Sequence, residues 1–283
     1  MDNVQSAALH EMAGSPHTAS PVATTLGRRL QRRVKQLFER SLGLTISRRP
    51  RFAPNQYADA AVRGLRRWSA DDVVFDVGAN DGRTILRIRE QLASPRIFAF
   101  EPVAATYTTL VQRTAGMPNV RAFRTALGAA PGEAAIYLND IDAMNSLSPD
   151  WTEAPAGVER VAITTVDRVM QEHRIDFVHF LKVDTEGYEL EVLKGAEGAL
   201  KTARIALIQV EVGFDQMLAR RFTTLEEVRV HLAPRGYVLY GVYNQCRVAG
   251  AAPDMWPLSE RTGYTPRVLV YCDALFVRAD LTR

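Results

Sequence analysis

The 283-residue chain is 47% hydrophobic and 24% charged, an ordinary composition for a globular protein. A chain of this length buries enough surface to fold without disulfides or metal ions, so Cys246 and Cys272 are interpreted as reduced packing residues of a cytoplasmic protein. No apolar run approaches the roughly 20 residues of a membrane-spanning helix, and no secretory signal is recognisable at the N-terminus.

The net charge of +3 is unevenly distributed along the chain. Residues 1–51 hold nine of the 35 basic side chains and three of the 32 acidic ones, so this segment carries +6 and the remainder −3. Nucleic-acid binding normally requires a basic face on the binding domain. The acidic remainder therefore argues against a nucleic-acid partner.

The N-terminal part of the chain is predicted to contain two segments. Residues 1–24 mix small residues and prolines without a hydrophobic period, which predicts disorder. Residues 25–53 are predicted to form a basic amphipathic arm, in which a helix over 26–42 has an apolar face opposite a basic one. Such a helix binds an anionic membrane surface as a peripheral contact, or packs on its own domain or on a second subunit. The pattern leaves these alternatives open.

From residue 54 to residue 283 the pattern alternates between strands and helices. Strands are predicted at 73–77, 96–100, 120–124, 158–164, 178–184, 205–212, 237–242 and 268–277. Helices are predicted at 56–68, 83–92, 103–114, 165–172, 188–195 and 224–232, with a long loop at 244–266. This alternation predicts a doubly wound, mainly parallel α/β sheet, with the last two strands as an antiparallel hairpin at one edge. Ligands of such sheets bind at the carboxyl ends of the strands.

The first motif is the turn Asp76-Val-Gly78-Ala-Asn80-Asp81-Gly82, which follows the first strand. Its glycines permit positive φ and a close approach of the backbone to a ligand. The spacing differs from the G-x-G-x-x-G of dinucleotide-binding folds, and the acid before the first glycine suits a cationic amino acid moiety better than a pyrophosphate. The alternative is a tight structural turn that binds nothing.

The second motif is Phe98-Ala-Phe100-Glu101-Pro102 at the end of the next strand, where Glu101 lies 25 residues after Asp76. A carboxylate at this position can accept hydrogen bonds from both hydroxyls of an adenosine ribose. The two motifs together predict a nucleoside site.

The third motif places three acids, Asp184, Glu186 and Glu189, directly after the fourth main strand. Lys182 shares the strand face of Asp184, because side chains alternate along a strand. Glu186 acts either as a base or as a cap for the following helix, and the spacing does not decide between the two. Glu211, at the end of the fifth main strand, is a further polar candidate beside the same crevice.

These motifs resemble the FkbM family of methyltransferases. The matching segments are VFDVGANDG, FAFEP, TALG at 125–128, TTVD at 164–167, KVDTEGYELEVLKG at 182–195 and the acid of the fifth strand. The resemblance covers about half of the chain, from residue 73 to residue 213.

The resemblance implies a seven-stranded, Rossmann-like class I methyltransferase sheet and S-adenosyl-L-methionine as the cofactor. It implies that the methionine part of this donor is held by four residues of the first turn: Asp76, Gly78, Asn80 and Gly82. Glu101 would bind the ribose, and Thr125, Ala126 and Leu127 would lie near the adenine. Asn145 and Ser146 would line the donor pocket, and Asp184 would lie close to the methyl group.

The expected function is methyl transfer to a hydroxyl of a sugar, a glycan or a specialised metabolite. Asp184 and Glu186 are the candidates that take the hydroxyl proton. The sequence shows no tight acid triplet that clearly demands a metal ion, so no metal ligand is assigned and the metal requirement stays open. Other hypotheses remain: a nicotinamide-dependent oxidoreductase, a nucleic-acid or protein methyltransferase, and a non-catalytic nucleoside-binding module.

Overall fold

The structure of the protein is a computed structural model that describes residues 58–139, 144–148, 155–214, 222–249 and 267–281. These residues belong to one structural unit, Ala53–Arg283. The predicted disordered segment 1–24 and the basic arm 25–53 lie outside the described residues.

The described strands form two sheets. In chain order the strands are β1 (Val73–Val77), β2 (Arg96–Phe100), β3 (Val120–Phe123), β4 (Ala126–Leu127), β5 (Gly132–Leu138), β6 (Gly157–Thr164), β7 (Val178–Val183), β8 (Ile205–Gly213), β9 (Tyr237–Ala249) and β10 (Arg267–Arg278). The main sheet has seven strands in the order β3-β2-β1-β7-β8-β10-β9, and β4, β6 and β5 form a small second sheet. In the main sheet, β10 is antiparallel to its neighbours β8 and β9, and the other pairs are parallel.

Helices cover both faces of the main sheet. They are α1 (Asp59–Leu65), α2 (Arg83–Gln91), α3 (Ala104–Thr114), α4 (Val166–Glu172), α5 (Glu189–Lys194), α6 (Glu197–Lys201) and α7 (Leu225–Leu232). Because side chains alternate along a strand, neighbouring residues of β1 enter different cores: Phe75 packs in one hydrophobic cluster and Val74 in the other. Among the described helices, none is long and apolar enough to cross a membrane.

The predicted fold class is confirmed, because the main sheet is doubly wound, seven-stranded and mainly parallel. The last two strands form the predicted antiparallel hairpin at one edge. The strand order reverses between β1 and β7, and in doubly wound sheets this reversal opens the crevice in which ligands bind.

Two details of the prediction are wrong. The predicted loop 244–266 begins too early, because β9 continues to Ala249, and its remaining residues 250–266 lie outside the described ones. Polar residues such as Asn244 interrupt the apolar run, but β9 is an edge strand whose outer side pairs with no other strand of the sheet, so it tolerates them. The segment after Gly195 forms a separate short helix, α6, which the pattern did not indicate.

The first prediction concerns Gly78, where β1 passes close to the end of β7. Its φ is +76°, and a Cβ there would lie 1.8 Å from the backbone oxygen of Asp184. We expect Gly78→Ala to lower the free energy of unfolding by at least about 2 kcal/mol, because positive φ costs an alanine roughly 1–2 kcal/mol before the clash is counted.

Urea denaturation measures this loss, and Gly64→Ala is the matched control. Gly64 lies in α1, and a Cβ there meets no atom within 4 Å. The same substitution should therefore stabilise the protein at Gly64 by roughly 0.5–1 kcal/mol. Equal unfolding free energies for the two variants would contradict the tight contact between β1 and β7.

Candidate functional site

A cavity of about 550 Å³ lies at the carboxyl ends of β1, β2 and β7, where the strand order reverses. Its volume is in the range of about 300–1,000 Å³ that is typical of small-molecule sites. The cavity is lined by eight of the residues that the sequence predicted for the site: Gly78, Asn80, Glu101, Ala126, Leu127, Asn145, Asp184 and Glu186. The structure therefore brings most of the predicted site residues together.

The turn between β1 and α2 is anchored to the neighbouring strand through its backbone. The N–H groups of Gly78 and Ala79 both donate to the carbonyl oxygen of Phe100, each at 3.0 Å. Gly82, a predicted site residue, does not line the cavity. Its φ is +83°, and a Cβ there would lie 2.9 Å from the side chain of Leu110, so this glycine allows α2 to begin against α3.

Glu101 is held in a fixed position at the end of β2. One carboxylate oxygen accepts a hydrogen bond from the N–H of Asn80 at 3.0 Å, and the other accepts one from the N–H of Val103 at 2.9 Å. Only 6% of the residue is exposed. Burial raises the pKa of Glu101 to about 7, and the nearby charges of Asp76 and Glu159 act in the same direction.

An apolar wall forms part of the cavity lining. It consists of Ala126 and Leu127 from β4, Ile136 from β5, and Leu147. The small second sheet thus supplies most of the surface on which a flat apolar group could lie.

Two other predicted residues of this region lie outside the cavity lining. The hydroxyl of Thr125 donates to the carbonyl oxygen of Ala162 at 2.9 Å, and Thr125 lines a separate hollow beside Phe123. Ser146 is buried, and its hydroxyl donates to the backbone oxygen of Glu186 at 2.5 Å. Its neighbour Asn145 lines the cavity.

Asp76 is fully buried and does not line the cavity. Its carboxylate lies 3.5 Å from Nζ of Lys182, and this lysine also donates to Oδ2 of Asp184 at 2.9 Å. Burial raises the pKa of Asp76, and the positive charge of Lys182 opposes that shift. Asp76 therefore affects the cavity through its ion pair with Lys182, a residue that lines the cavity.

The loop after β7 is held by Glu189. One carboxylate oxygen of Glu189 accepts hydrogen bonds from the N–H groups of Thr185 at 2.9 Å and Gly187 at 3.0 Å. These N–H groups belong to the loop before α5, whose N-cap residue Tyr188 makes no capping hydrogen bond through its side chain. Glu186 has a backbone φ of +54° and lines the cavity.

Three carboxylates meet at the edge of the cavity. The sequence predicted Glu211 beside the same crevice as Asp184 and Glu186, but it did not predict that the three form a tight triplet. Oxygen atoms of Asp184, Glu186 and Glu211 all lie within 4.8 Å of one another. Burial raises the pKa of Glu186 to about 9, and the neighbouring charges of Asp184 and Glu189 add to this shift. Burial raises the pKa of Glu211 well above its ordinary value, and the nearby charges of Asp184 and Glu186 add to this shift.

A family model, the methyltransferase FkbM domain, matches residues 76–239, a range that contains the turn after β1, Glu101 and the acid cluster. The chain belongs to the FkbM methyltransferase family. The predicted family is therefore confirmed, and so is the predicted cofactor, S-adenosylmethionine.

Two curated relatives of this FkbM-family chain match part of it. It is 31% identical over 152 residues to the hexuronic acid methyltransferase AglP of Haloferax volcanii, which covers 53% of this chain and 61% of AglP. It is 28% identical over 152 residues to Methyltransferase 1 of Beauveria bassiana, covering 45% of this chain and 59% of the relative. The chain thus spans about three fifths of the length of each relative.

The solved structures that resemble this chain include a methyltransferase FkbM from Methylobacillus flagellatus KT. It shares 17% identity with this chain at a TM-score of 0.47, and the match covers 76% of this chain and 45% of the other. A fibrillarin from Aeropyrum pernix, solved with natively bound S-adenosyl-L-methionine, shares 13% identity at a TM-score of 0.39, covering 77% and 73%.

The second prediction concerns Glu101 and the affinity for S-adenosylhomocysteine. Because both carboxylate oxygens accept backbone N–H groups, the amide of Glu101→Gln would place a donor against a donor. If Glu101 binds the ribose, as the sequence predicts, the amide would also offer the ribose hydroxyls a weaker acceptor. Hydrogen bonds to charged groups contribute about 1.5–3 kcal/mol. We therefore expect the variant to bind at least roughly tenfold more weakly by calorimetry.

The pH dependence provides a second readout. The pKa of Glu101 is about 7, so its carboxylate gains charge as the pH rises through neutrality and accepts hydroxyl hydrogen bonds more strongly. Affinity should increase from pH 6 to pH 8 in the native protein and change less in Glu101→Gln, which keeps Asp76 and Glu159. Glu90→Gln, on the exposed side of α2, is the control. Unchanged affinity in Glu101→Gln would remove Glu101 from the donor site.

Proposed function

We propose that the chain transfers the methyl group of S-adenosylmethionine to a hydroxyl of a sugar, a glycan or a specialised metabolite. The main support is the position of Asp184 and Glu186, whose carboxylates belong to the wall of the same cavity that Glu101 and the glycine turn line. Hydroxyl acceptors need a group that takes their proton, and a carboxylate in the cavity wall can do so. Because burial raises the pKa of Glu186 to about 9, Asp184 is the better candidate.

The residues of the cavity suit the three parts of the donor. Glu101, fixed by two backbone N–H groups, has lone pairs left for ribose hydroxyls. The apolar wall from Ala126 to Leu147 suits the adenine ring, and the backbone turn from Gly78 to Asn80 suits the methionine part. The carboxyl groups around Lys182 make this end of the cavity rich in hydrogen-bond acceptors, which suits a cationic group.

When bound, S-adenosylmethionine supplies a methyl group on a positively charged sulfur; its transfer to a hydroxyl oxygen breaks the carbon–sulfur bond, leaves a neutral thioether and releases the hydroxyl proton. Asp184 takes this proton in our proposal. Its position is fixed on two sides, since its N–H donates to the oxygen of Val77 at 3.0 Å and its carboxylate accepts from Lys182 at 2.9 Å. Such positioning is a large part of catalysis by proximity.

The electrostatics of the acid cluster favour an uncharged reacting group. A reacting group that is itself anionic would meet the carboxyl groups of Asp184, Glu186 and Glu211 at short range, and like charges repel strongly in a partly buried site wherever these groups are ionised. A hydroxyl carries no charge until its proton leaves. The similarity to a methyltransferase of hexuronic acid, a sugar with several hydroxyls, supports a carbohydrate acceptor.

The third prediction concerns Asp184→Asn. We expect turnover to fall by about 10²–10⁴-fold, because an amide cannot take the proton. The affinity for S-adenosylhomocysteine should change by less than roughly threefold, since this substitution keeps the shape of the side chain. Asp176→Asn, at a solvent-exposed carboxylate, is the control and should retain full activity.

Formation of S-adenosylhomocysteine with a panel of acceptors tests the proposal as a whole. The panel contains neutral hexoses, hexuronic acids, nucleotide sugars, hydroxylated metabolites and a generic oligonucleotide, and mass spectrometry locates the added methyl group. An O-methylated carbohydrate or metabolite is the expected product. Donor binding without any turnover would favour a non-catalytic nucleoside-binding module, and methylation of the oligonucleotide alone would refute the proposed acceptor class.

A further inference from the structure

The three-carboxylate cluster of Asp184, Glu186 and Glu211 is built from two neighbouring parallel strands. Asp184 and Glu186 follow the end of β7. Glu211 is the third residue from the end of β8, one residue beyond Val210, the partner of Val183. Their carboxylate oxygens lie within 4.8 Å of one another. The spacing suits a single ion, because oxygens that each lie about 2.0–2.6 Å from a central cation are separated by at most about 5 Å.

The carboxylate of Glu211 lacks a partner for one of its oxygens. Oε2 of Glu211 is shut off from solvent and has no hydrogen-bond partner among the residues that the structure describes. Buried polar atoms are almost always hydrogen-bonded, and one that is not costs free energy unless a ligand or ion binds it. The same carboxylate belongs to the cluster with Asp184 and Glu186. The unpartnered oxygen therefore indicates that a ligand binds at the cluster.

Lys182 does not balance the charge of the cluster. Its ammonium group contacts Asp184 at 2.9 Å and Asp76 at 3.5 Å, so it is shared between two acids. Asp273 is paired across the strands with Glu211 and brings another carboxyl group to the region. A divalent cation would supply the missing positive charge and the missing contact to Glu211 together.

We propose that Asp184, Glu186 and Glu211 bind one divalent cation of the class that prefers oxygen ligands, represented by Mg²⁺, Mn²⁺ and Ca²⁺. Such ions keep several positions for water or substrate oxygens when a protein supplies only a few carboxylates. Two of the three ligands, Asp184 and Glu186, line the cavity, so a bound ion would lie beside it.

The proposed cation narrows the acceptor class, and this step rests on the proposed function. An acceptor with two adjacent oxygen atoms, either a vicinal diol or a hydroxyl beside a carboxylate, would bind the ion through both atoms. The ion would also offset the repulsion that a sugar acid meets from the cluster, and it would favour loss of the proton from a bound hydroxyl. Sugars and sugar acids carry such oxygen pairs, whereas isolated alcohols do not.

The experiment is a titration of the chelator-treated whole chain with Mn²⁺ alone, in which electron paramagnetic resonance measures the free ion. We expect one site with a dissociation constant below about 1 mM, and competition by Mg²⁺. Glu211→Gln should weaken Mn²⁺ binding by more than about tenfold, since it removes a charged ligand but keeps the shape. Its melting curve shows whether the variant is folded, and Asp184→Asn provides a second ligand variant.

Two controls separate a coordinated ion from general attraction to negative charge. Glu226→Gln, at an exposed pair with Arg229, should not change the affinity for Mn²⁺. Asp273→Asn removes a buried acid that is outside the cluster. The proposal is overturned if Asp273→Asn weakens binding as much as Glu211→Gln does, or if the native chain binds no Mn²⁺ below about 1 mM.

Binding of S-adenosylhomocysteine to the same samples distinguishes the two proposals. Donor binding and turnover that persist in the presence of a chelator would refute the cation site and leave the methyltransferase proposal intact. Mn²⁺ binding at the cluster without turnover of any acceptor would support the cation site and count against the proposed function.

Discussion

The close contact between the ends of β1 and β7 is the constraint on which the site depends. The N–H of Asp184 donates to the carbonyl oxygen of Val77 at 3.0 Å, and the missing side chain of Gly78 leaves room for the carbonyl group of Asp184. The parallel register also pairs Asp76 with Lys182. As a result, the glycine turn after β1 and the acid loop after β7 line the same cavity. Neither loop needs long insertions to reach the other.

Much of the fold could be predicted because its central strands carry strong local signals. The apolar runs of β1 and β2 were predicted with the observed bounds, since each run ends at polar or glycine-containing turns. The small second sheet could not be predicted, because β4 has only two residues and its pairing with β6 joins segments far apart in the sequence. The full length of β9 was missed for a related reason: its pairing with β10, rather than an apolar pattern, keeps it extended.

The sequence predicted the position of site residues that directly follow a strand. It did not predict the position of side chains within a strand or the contacts that depend on strand register. Glu101 directly follows the last residue of β2 and lines the cavity. This was predictable because the carboxyl ends of neighbouring parallel strands lie at the same edge of the sheet. Asp76 lies one residue before the end of β1, and this single position places its carboxylate in the interior against Lys182. The meeting of Glu211 with Asp184 and Glu186 depends on the register of β7 and β8 and on the positive φ of Glu186, which no sequence pattern specifies.

The hydrogen bonds of Glu189 have a consequence for how the protein meets its ligands. A left-handed backbone at Glu186 costs roughly 1–2 kcal/mol for a residue with a Cβ. The two hydrogen bonds that Glu189 accepts from backbone N–H groups nevertheless hold the loop in this shape. The conformational entropy of the loop is therefore lost during folding and not when a ligand arrives. A rigid wall of this kind lets binding energy serve selectivity, because a poorly shaped acceptor cannot be accommodated by rearranging the loop.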